Sequence, residues 1–370
     1  MLPYFLLLFI AGVFPIIIYG NRKLIYIYEY NSIINKRNKM TIRLFFIGLF
    51  ILLALRDITV GKDLINYKAI YEICCFTPFE ALSNLRWETG YTVYNKVLSL
   101  ILDDYRFFLI ITAGVSLFPI YKLYVREKRY SFLLIVLFIN MPCFLMLFSG
   151  LRQSIAISIG ILAFMALENK KRLLSCILIL IAIYFHISAF VLILLYPMYF
   201  LKIKAKDLLY ITPIMFAIYI LKVPILTALF NILPSQYTEF YGVVKQTGAF
   251  GMMVLFLLFS IFSFVVLDES IMVRKDYFMR NVLLISTIFQ FFVPIHGLIQ
   301  RASYYFLIFV PVAILSIVQS PKKGLKDVSD LAIIVMGLFF FCYFFYNAMF
   351  STDNLLDVFP YRFFGSEYIW

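Results

Sequence analysis

Runs of about 18 or more apolar residues recur along the whole length of this 370-residue chain, each able to cross a hydrocarbon core roughly 30 Å thick. In lipid, only α-helices and closed barrels satisfy their backbone, and continuous apolar runs lack the alternation that a barrel strand needs. The fold class is therefore all-α and polytopic, a single integral membrane domain over residues 1–370. Composition agrees: 64% of residues are hydrophobic and 14% are charged, against about 25% charged in a soluble domain. The opening stretch, "MLPYFLLLFIAGVFPIIIY", has no basic n-region and no A-x-A-like exit, so it reads as a retained helix and not a cleaved signal.

The net charge of +13 raises the question of an acidic partner such as nucleic acid. Its distribution excludes that reading. Most of the 33 Lys and Arg residues fall in short tracts between apolar runs: "NRK" at 21–23, "NKRNK" at 35–39, "KLYVREKR" at 122–129, "KKR" at 170–172, "KIKAK" at 202–206, "RKDYFMR" at 274–280 and "PKKGLK" at 321–326. Positive-inside bias makes these cytoplasmic loops. About twelve crossings result, at 2–19, 41–55, 107–125, 131–148, 150–167, 173–185, 187–201, 208–230, 249–267, 279–299, 302–319 and 331–350. The apolar stretch 173–201 is split into a short hairpin because one crossing there would put the later basic tracts outside. Its apex, "YFHIS", is then recessed below the outer surface. A long outer loop, 56–106, carries helical periodicity in "DLINYKAIYEICCF" and "ETGYTVYNKVLSLIL"; a second outer loop spans 231–248.

On this topology several polar residues converge on the outer boundary: Arg56 at the end of the second span, Arg152 at the start of the fifth, His186 at the hairpin apex and Arg301 before the eleventh. A charge at that depth costs a few kcal/mol unless it meets water or a partner, so function is the default hypothesis. A lone arginine at a helix end is, however, commonly a snorkelling anchor, and a histidine commonly a satisfied core residue. Arginine suits phosphate because its planar fork makes bidentate bonds and stays charged. An anion held in a cavity at a membrane boundary fits a lipid-linked phosphate or pyrophosphate. His296 reads equally as a cavity residue or a helix-end hydrogen bond. No HExxH, nucleophile elbow, P-loop or metal-ligand spacing is present, and the five cysteines show no metal pattern; neither metal nor cofactor is expected.

"SGLRQSIAISIGILAF", followed some thirty residues later by "AIYFHISAFVLIL", resembles the signature of EpsG-like proteins, a branch of the Wzy-type polysaccharide polymerases. "RDITVGKDLINY" is similar to the family's Arg-x-x-x-x-Gly-x-Asp-x-x-x-Tyr pattern, although Lys62 stands where a small polar residue is expected. "ETGY", "RASYYF" and "FPYRFF" match further segments in order. The resemblance implies a polymerase of O-antigen, capsule or exopolysaccharide in a bacterial inner membrane. It would transfer a glycan chain from undecaprenyl pyrophosphate onto a lipid-linked repeat unit at the periplasmic face, beside flippase and chain-length-regulator partners. Arg56, Arg152 and Arg301 are then expected to hold the pyrophosphate. His186 is the expected base, with Asp63 and Glu88 as alternatives; a neighbouring arginine would weaken either carboxylate and would favour a neutral imidazole. Gln153, Tyr304 and Tyr305 are candidate sugar-binding residues. The competing classes are a flippase or transporter of the same lipid-linked sugars, and a membrane acyltransferase using one histidine.

Overall fold

A computed structural model describes residues 2–20, 27–127, 129–231, 249–350 and 355–367. Among them the regular structure is helical, with no strand beyond two isolated bridges, Arg56 with Phe363 and Leu267 with Pro321. The second expected outer loop, 231–248, lies beyond Asn231 outside the described residues. Contacts group the chain into two compact units, Met1–Phe190 with Ile334–Trp370, and Val191–Ile333.

The first unit contains α1 (Leu2–Gly20), α2 (Ile27–Ala54), α3 (Leu64–Phe76), α4 (Thr89–Ile101), α5 (Tyr105–Tyr124), α6 (Ser131–Ile139), α7 (Pro142–Ser149), α8 (Leu151–Glu168) and α9 (Arg172–Phe185). α3 and α4 coincide with the two periodic stretches of the expected 56–106 loop. Elsewhere helix ends depart from the expected spans for identifiable reasons. α2 runs through the basic "NKRNK" tract, which is helix and not loop. The expected span 131–148 is two helices bent by 64°. Pro142, lacking an N–H, can only start a helix there, and Asn140 donates to the carbonyls of Val136 (2.7 Å) and Phe340 (2.9 Å).

α8 and α9 form the hairpin that matters most. A tight turn, Asn169–Lys171, returns the chain, with Lys171 N–H bonded to Ala166 O at 2.9 Å. The start of α8 and the end of α9 therefore lie at one end of the pair. α9 has 14 residues to the 18 of α8, so its end stops short by roughly 6 Å at 1.5 Å per residue.

The C-terminal segment is stitched along the loop that follows α2. Asp57 N–H bonds Arg362 O (2.9 Å), Phe364 N–H bonds Leu55 O (2.9 Å), Gly61 N–H bonds Asp357 O (3.0 Å) and Lys62 N–H bonds Leu356 O (2.8 Å). The hydroxyls of Tyr361 and Tyr4 add bonds to Leu52 O (2.7 Å) and Val358 O (3.1 Å).

The second unit contains α10 (Leu195–Phe200), α11 (Leu208–Ile220), α12 (Lys222–Phe230), α13 (Ala249–Val266), α14 (Arg274–Phe292), α15 (Gly297–Leu307), α16 (Val310–Gln319) and the start of α17 (Lys326–Phe350). The expected span 208–230 breaks at Leu221, because the Pro224 ring would clash with the carbonyl of Ile220 in a continuous helix. The span 279–299 ends early, at Phe292, for the same reason at Pro294. The limb 187–201 is a 3-10 turn to Leu194 and then α10. Arg280, in a tract read as loop charge, is instead a buried clasp: it pairs with Glu269 and donates to Ile203 O and Ser263 O, each at 3.1 Å.

By length and apolarity, three helices among the described residues qualify as membrane spans: Tyr105–Tyr124, Leu151–Glu168 and Lys326–Phe350. Three bent pairs qualify as one broken span each, giving three to six; shorter apolar helices cover Leu2–Ile18, Arg172–Phe185 and Phe250–Val266. The protein is an all-helical membrane protein.

Candidate functional site

Glu88 immediately precedes α4 in an extended conformation, with its carbonyl accepting from Tyr91 N–H (3.0 Å) and Thr92 N–H (3.1 Å). Its carboxylate makes no cap bond to its own helix and turns towards the α8–α9 hairpin. Gly90 permits this approach. A Cβ at residue 90 would sit 2.7 Å from Tyr184 O and 2.8 Å from Tyr184 C, so only glycine lets the first turn of α4 rest on the last turn of α9.

His186 ends α9 in extended backbone, and its Nδ1 lies 2.8 Å from Glu88 Oε1. Ile187 N–H donates to the same oxygen at 3.3 Å. Arg152, second residue of α8, donates from Nη1 to the other carboxylate oxygen, Oε2. Thus one carboxylate ties together the start of α8, the end of α9 and the start of α4. The three side chains are mostly enclosed: Arg152 is 22%, Glu88 18% and His186 8% exposed. Burial alone would push the Glu88 carboxyl upward, but the hydrogen bond from His186 and the charge of Arg152 overcome it and hold the pKa at about 2.

The Arg152 guanidinium lies 5.9 Å from the ring centroids of both Tyr67 and Tyr91, which face each other edge-on at 5.7 Å. Its Nε is buried without a hydrogen-bond partner. Tyr67 and Tyr91 were not singled out from sequence, although each closes one of the quoted motifs; their position on α3 and α4 at helical spacing was the available signal.

The other expected residues divide. Asp63 bonds reciprocally with Ser149, its N–H donating to Ser149 Oγ (3.2 Å) and the Ser149 hydroxyl donating to Asp63 Oδ2 (3.1 Å). Beside it, Gly61 has φ +112°, and a Cβ there would meet Phe148 O at 2.1 Å. Asp63 thereby fixes the loop to the residues just before Arg152. Arg56, expected as a pyrophosphate contact, is buried beside the C-terminal segment. It is 1% exposed, donating to Leu53 O at 2.6 Å with its guanidinium 5.7 Å from the Phe148 ring. Burial lowers its pKa to about 10. Arg106, unremarked in the sequence, covers its backbone, donating to Ala54 O (2.9 Å) and Arg56 O (2.8 Å). Gln153 is buried.

Arg301, Tyr304 and Tyr305 all lie on α15 in the second unit. Arg301 is the fifth residue of that helix and not its start, so it lies beyond the first turn. His296 resolves as the cap of α15, its Nδ1 accepting from Leu298 N–H at 3.2 Å. The imidazole of His186 contacts a carboxylate, and the guanidinium of Arg152 contacts that same carboxylate and helps to lower its pKa, as a neighbouring arginine was expected to do.

The EpsG family profile matches residues 39–363. No curated protein and no solved structure matches the chain.

Proposed function

The chain belongs to the EpsG family, and from that membership we propose that it is a polysaccharide polymerase whose active centre is the Arg152–Glu88–His186 cluster. The substrates are glycans carried on undecaprenyl pyrophosphate, and the reaction face is the periplasmic side of a bacterial inner membrane. A flippase supplies the lipid-linked units and a chain-length regulator acts beside the enzyme. The observation that carries this reading is the meeting of a guanidinium and an imidazole on one enclosed carboxylate at the ends of two apolar helices.

Chain transfer breaks the bond between the donor sugar's anomeric carbon and the diphosphate oxygen, and the bonding electrons leave with the diphosphate. The acceptor hydroxyl forms the new bond to that carbon and gives up its proton. Arg152 is assigned to the leaving diphosphate, where a fixed cation meets the charge as it develops; loss of one such donor typically costs on the order of 100-fold or more in rate. His186 is assigned to the proton. With Glu88 accepting from Nδ1–H, the neutral ring carries its lone pair on Nε2. The carboxylate orients the base, as the third member of a catalytic triad does. Arg301 is kept as a proposed pyrophosphate contact and Tyr304 and Tyr305 as proposed sugar contacts. Arg56 is reassigned from substrate contact to support of the loop bearing Asp63.

The test is complementation of a bacterium lacking its own polymerase, read as the glycan length ladder. Arg152→Ala and His186→Ala, at wild-type membrane abundance, are expected to leave single repeats only. Long polymer made by both variants would remove the assignment. Failure of single repeats to reach the outer face in the null strain would favour the flippase reading instead.

A further inference from the structure

The two oxygens of the Glu88 carboxylate serve different partners. Oε2 takes the charge-assisted bond from Arg152, whereas Oε1 is held by His186 Nδ1 at 2.8 Å and by Ile187 N–H at 3.3 Å. Arg152 lies against Tyr67 and Tyr91, its Nε is buried, and its Nη1 is bonded to Glu88, so an anion binding the guanidinium meets a donor group that already holds a carboxylate. A phosphate oxygen and the Glu88 carboxylate are chemically alike as guanidinium partners.

We infer that Glu88 is a resident anion that occupies the Arg152 site until a diphosphate displaces it. The inference rests on the reading that Arg152 binds diphosphate. Displacement need only release Oε2, because Oε1 stays anchored to His186 and Ile187. Two consequences follow from that division. An intramolecular carboxylate competes at high effective concentration, so weak monoanions are kept out and a ligand with two or more negative charges is selected. Once the diphosphate takes Arg152, the carboxylate's charge acts on His186 alone, so the base is fully supported only when the donor is in place. Glu88 is thereby a positioning and selectivity residue coupled to donor binding.

The experiment measures binding of inorganic pyrophosphate, with inorganic phosphate alongside, to the purified full chain in detergent, together with polymerisation kinetics. Glu88→Gln removes the competitor and is expected to bind pyrophosphate about three- to tenfold more tightly than wild type. Its turnover should fall, giving a lower KM and a lower kcat together. The difference between pyrophosphate and phosphate affinities should also narrow. Glu88→Asp, which keeps the charge but draws it back by one methylene, should fall between the two and serves where the glutamine variant does not fold. Equal or weaker pyrophosphate binding in whichever of these variants is folded and monodisperse overturns the inference. Pyrophosphate binding that is unaffected by Arg152→Ala overturns instead the assignment of Arg152 itself. A loss in Arg152→Ala with no gain at residue 88 leaves that assignment standing and removes only the role of Glu88.

Discussion

His186 and Arg152 share the Glu88 carboxylate, so each residue's contribution can be separated by what it leaves behind. His186→Gln keeps a donor towards Glu88 but has no basic nitrogen. It should retain membrane abundance and pyrophosphate binding while losing polymerisation by about 100-fold or more, measured as the glycan ladder and initial rate. Retained turnover in this variant would transfer the base to another residue. The acid limb of stability is also set here. A carboxyl whose folded pKa is lowered to about 2 adds stability that is fully present above its unfolded value of about 4.3 and is lost as pH falls towards the folded one. Wild type should therefore unfold at higher temperature than Glu88→Gln at neutral pH, and the gap should close between about pH 4.3 and pH 2. At this scale the sequence was informative about type and silent about pairing. Arg152, His186 and Glu88 stood out as charged or titratable groups beside apolar runs, but their contact joins residues 64 and 98 positions apart, which no local pattern encodes. The burial of Arg56 is hidden for a related reason: a cation at a span end looks solvent-facing until the C-terminal segment is laid over it.

The element that sets the site is the crossing of α4 on α9, and it hinges on Gly90. Alanine there must push against the backbone of Tyr184, not against a flexible side chain, so the helices have to separate. Gly90→Ala is expected to destabilise the protein by roughly 1–3 kcal/mol, and the displaced Glu88 should cost about 100-fold in rate; thermal unfolding and the ladder assay check the two parts. A second support is the C-terminal segment. Tyr361→Phe strands the Leu52 carbonyl and should cost about 1 kcal/mol, whereas deletion of residues 355–367 removes every bond to the Asp57–Lys62 loop and should abolish polymer while the spans still insert. Helix identity was largely readable. The periodicity of residues 63–76 and 88–102 located α3 and α4 almost to the residue, because amphipathic spacing is a local property. Breaks inside apolar runs are not readable from hydrophobicity, since a bent pair and a straight span have the same composition; the prolines at 142, 224 and 294 carry that information.

Across the whole molecule, the chemistry proposed for the α8–α9 end holds only if that end faces outward, and the charge pattern makes a definite statement about it. The turn Asn169–Lys171 closes the hairpin at the end opposite Arg152 and His186, and it carries Lys170 and Lys171, with Arg172 next at the start of α9. Positive-inside bias predicts a cytoplasmic turn, and with it Glu88, His186 and the 56–106 loop on the other side. The Arg280–Glu269 clasp qualifies the argument without reversing it, because Arg280 is structural while Arg274 and Lys275 of the same basic tract keep their charge at the start of α14. Orientation can be read directly by thiol labelling of intact cells, in a background where Cys75, Cys176 and Cys342 are replaced by serine and the buried Cys74 and Cys143 are kept. Lys68→Cys, on exposed ground in α3, should react with a membrane-impermeant maleimide from outside, and Lys170→Cys should react only after the membrane is opened. The reverse pattern would turn the Arg152–Glu88–His186 cluster towards the cytoplasm, where a polymerase working on exported lipid-linked glycans has no substrate.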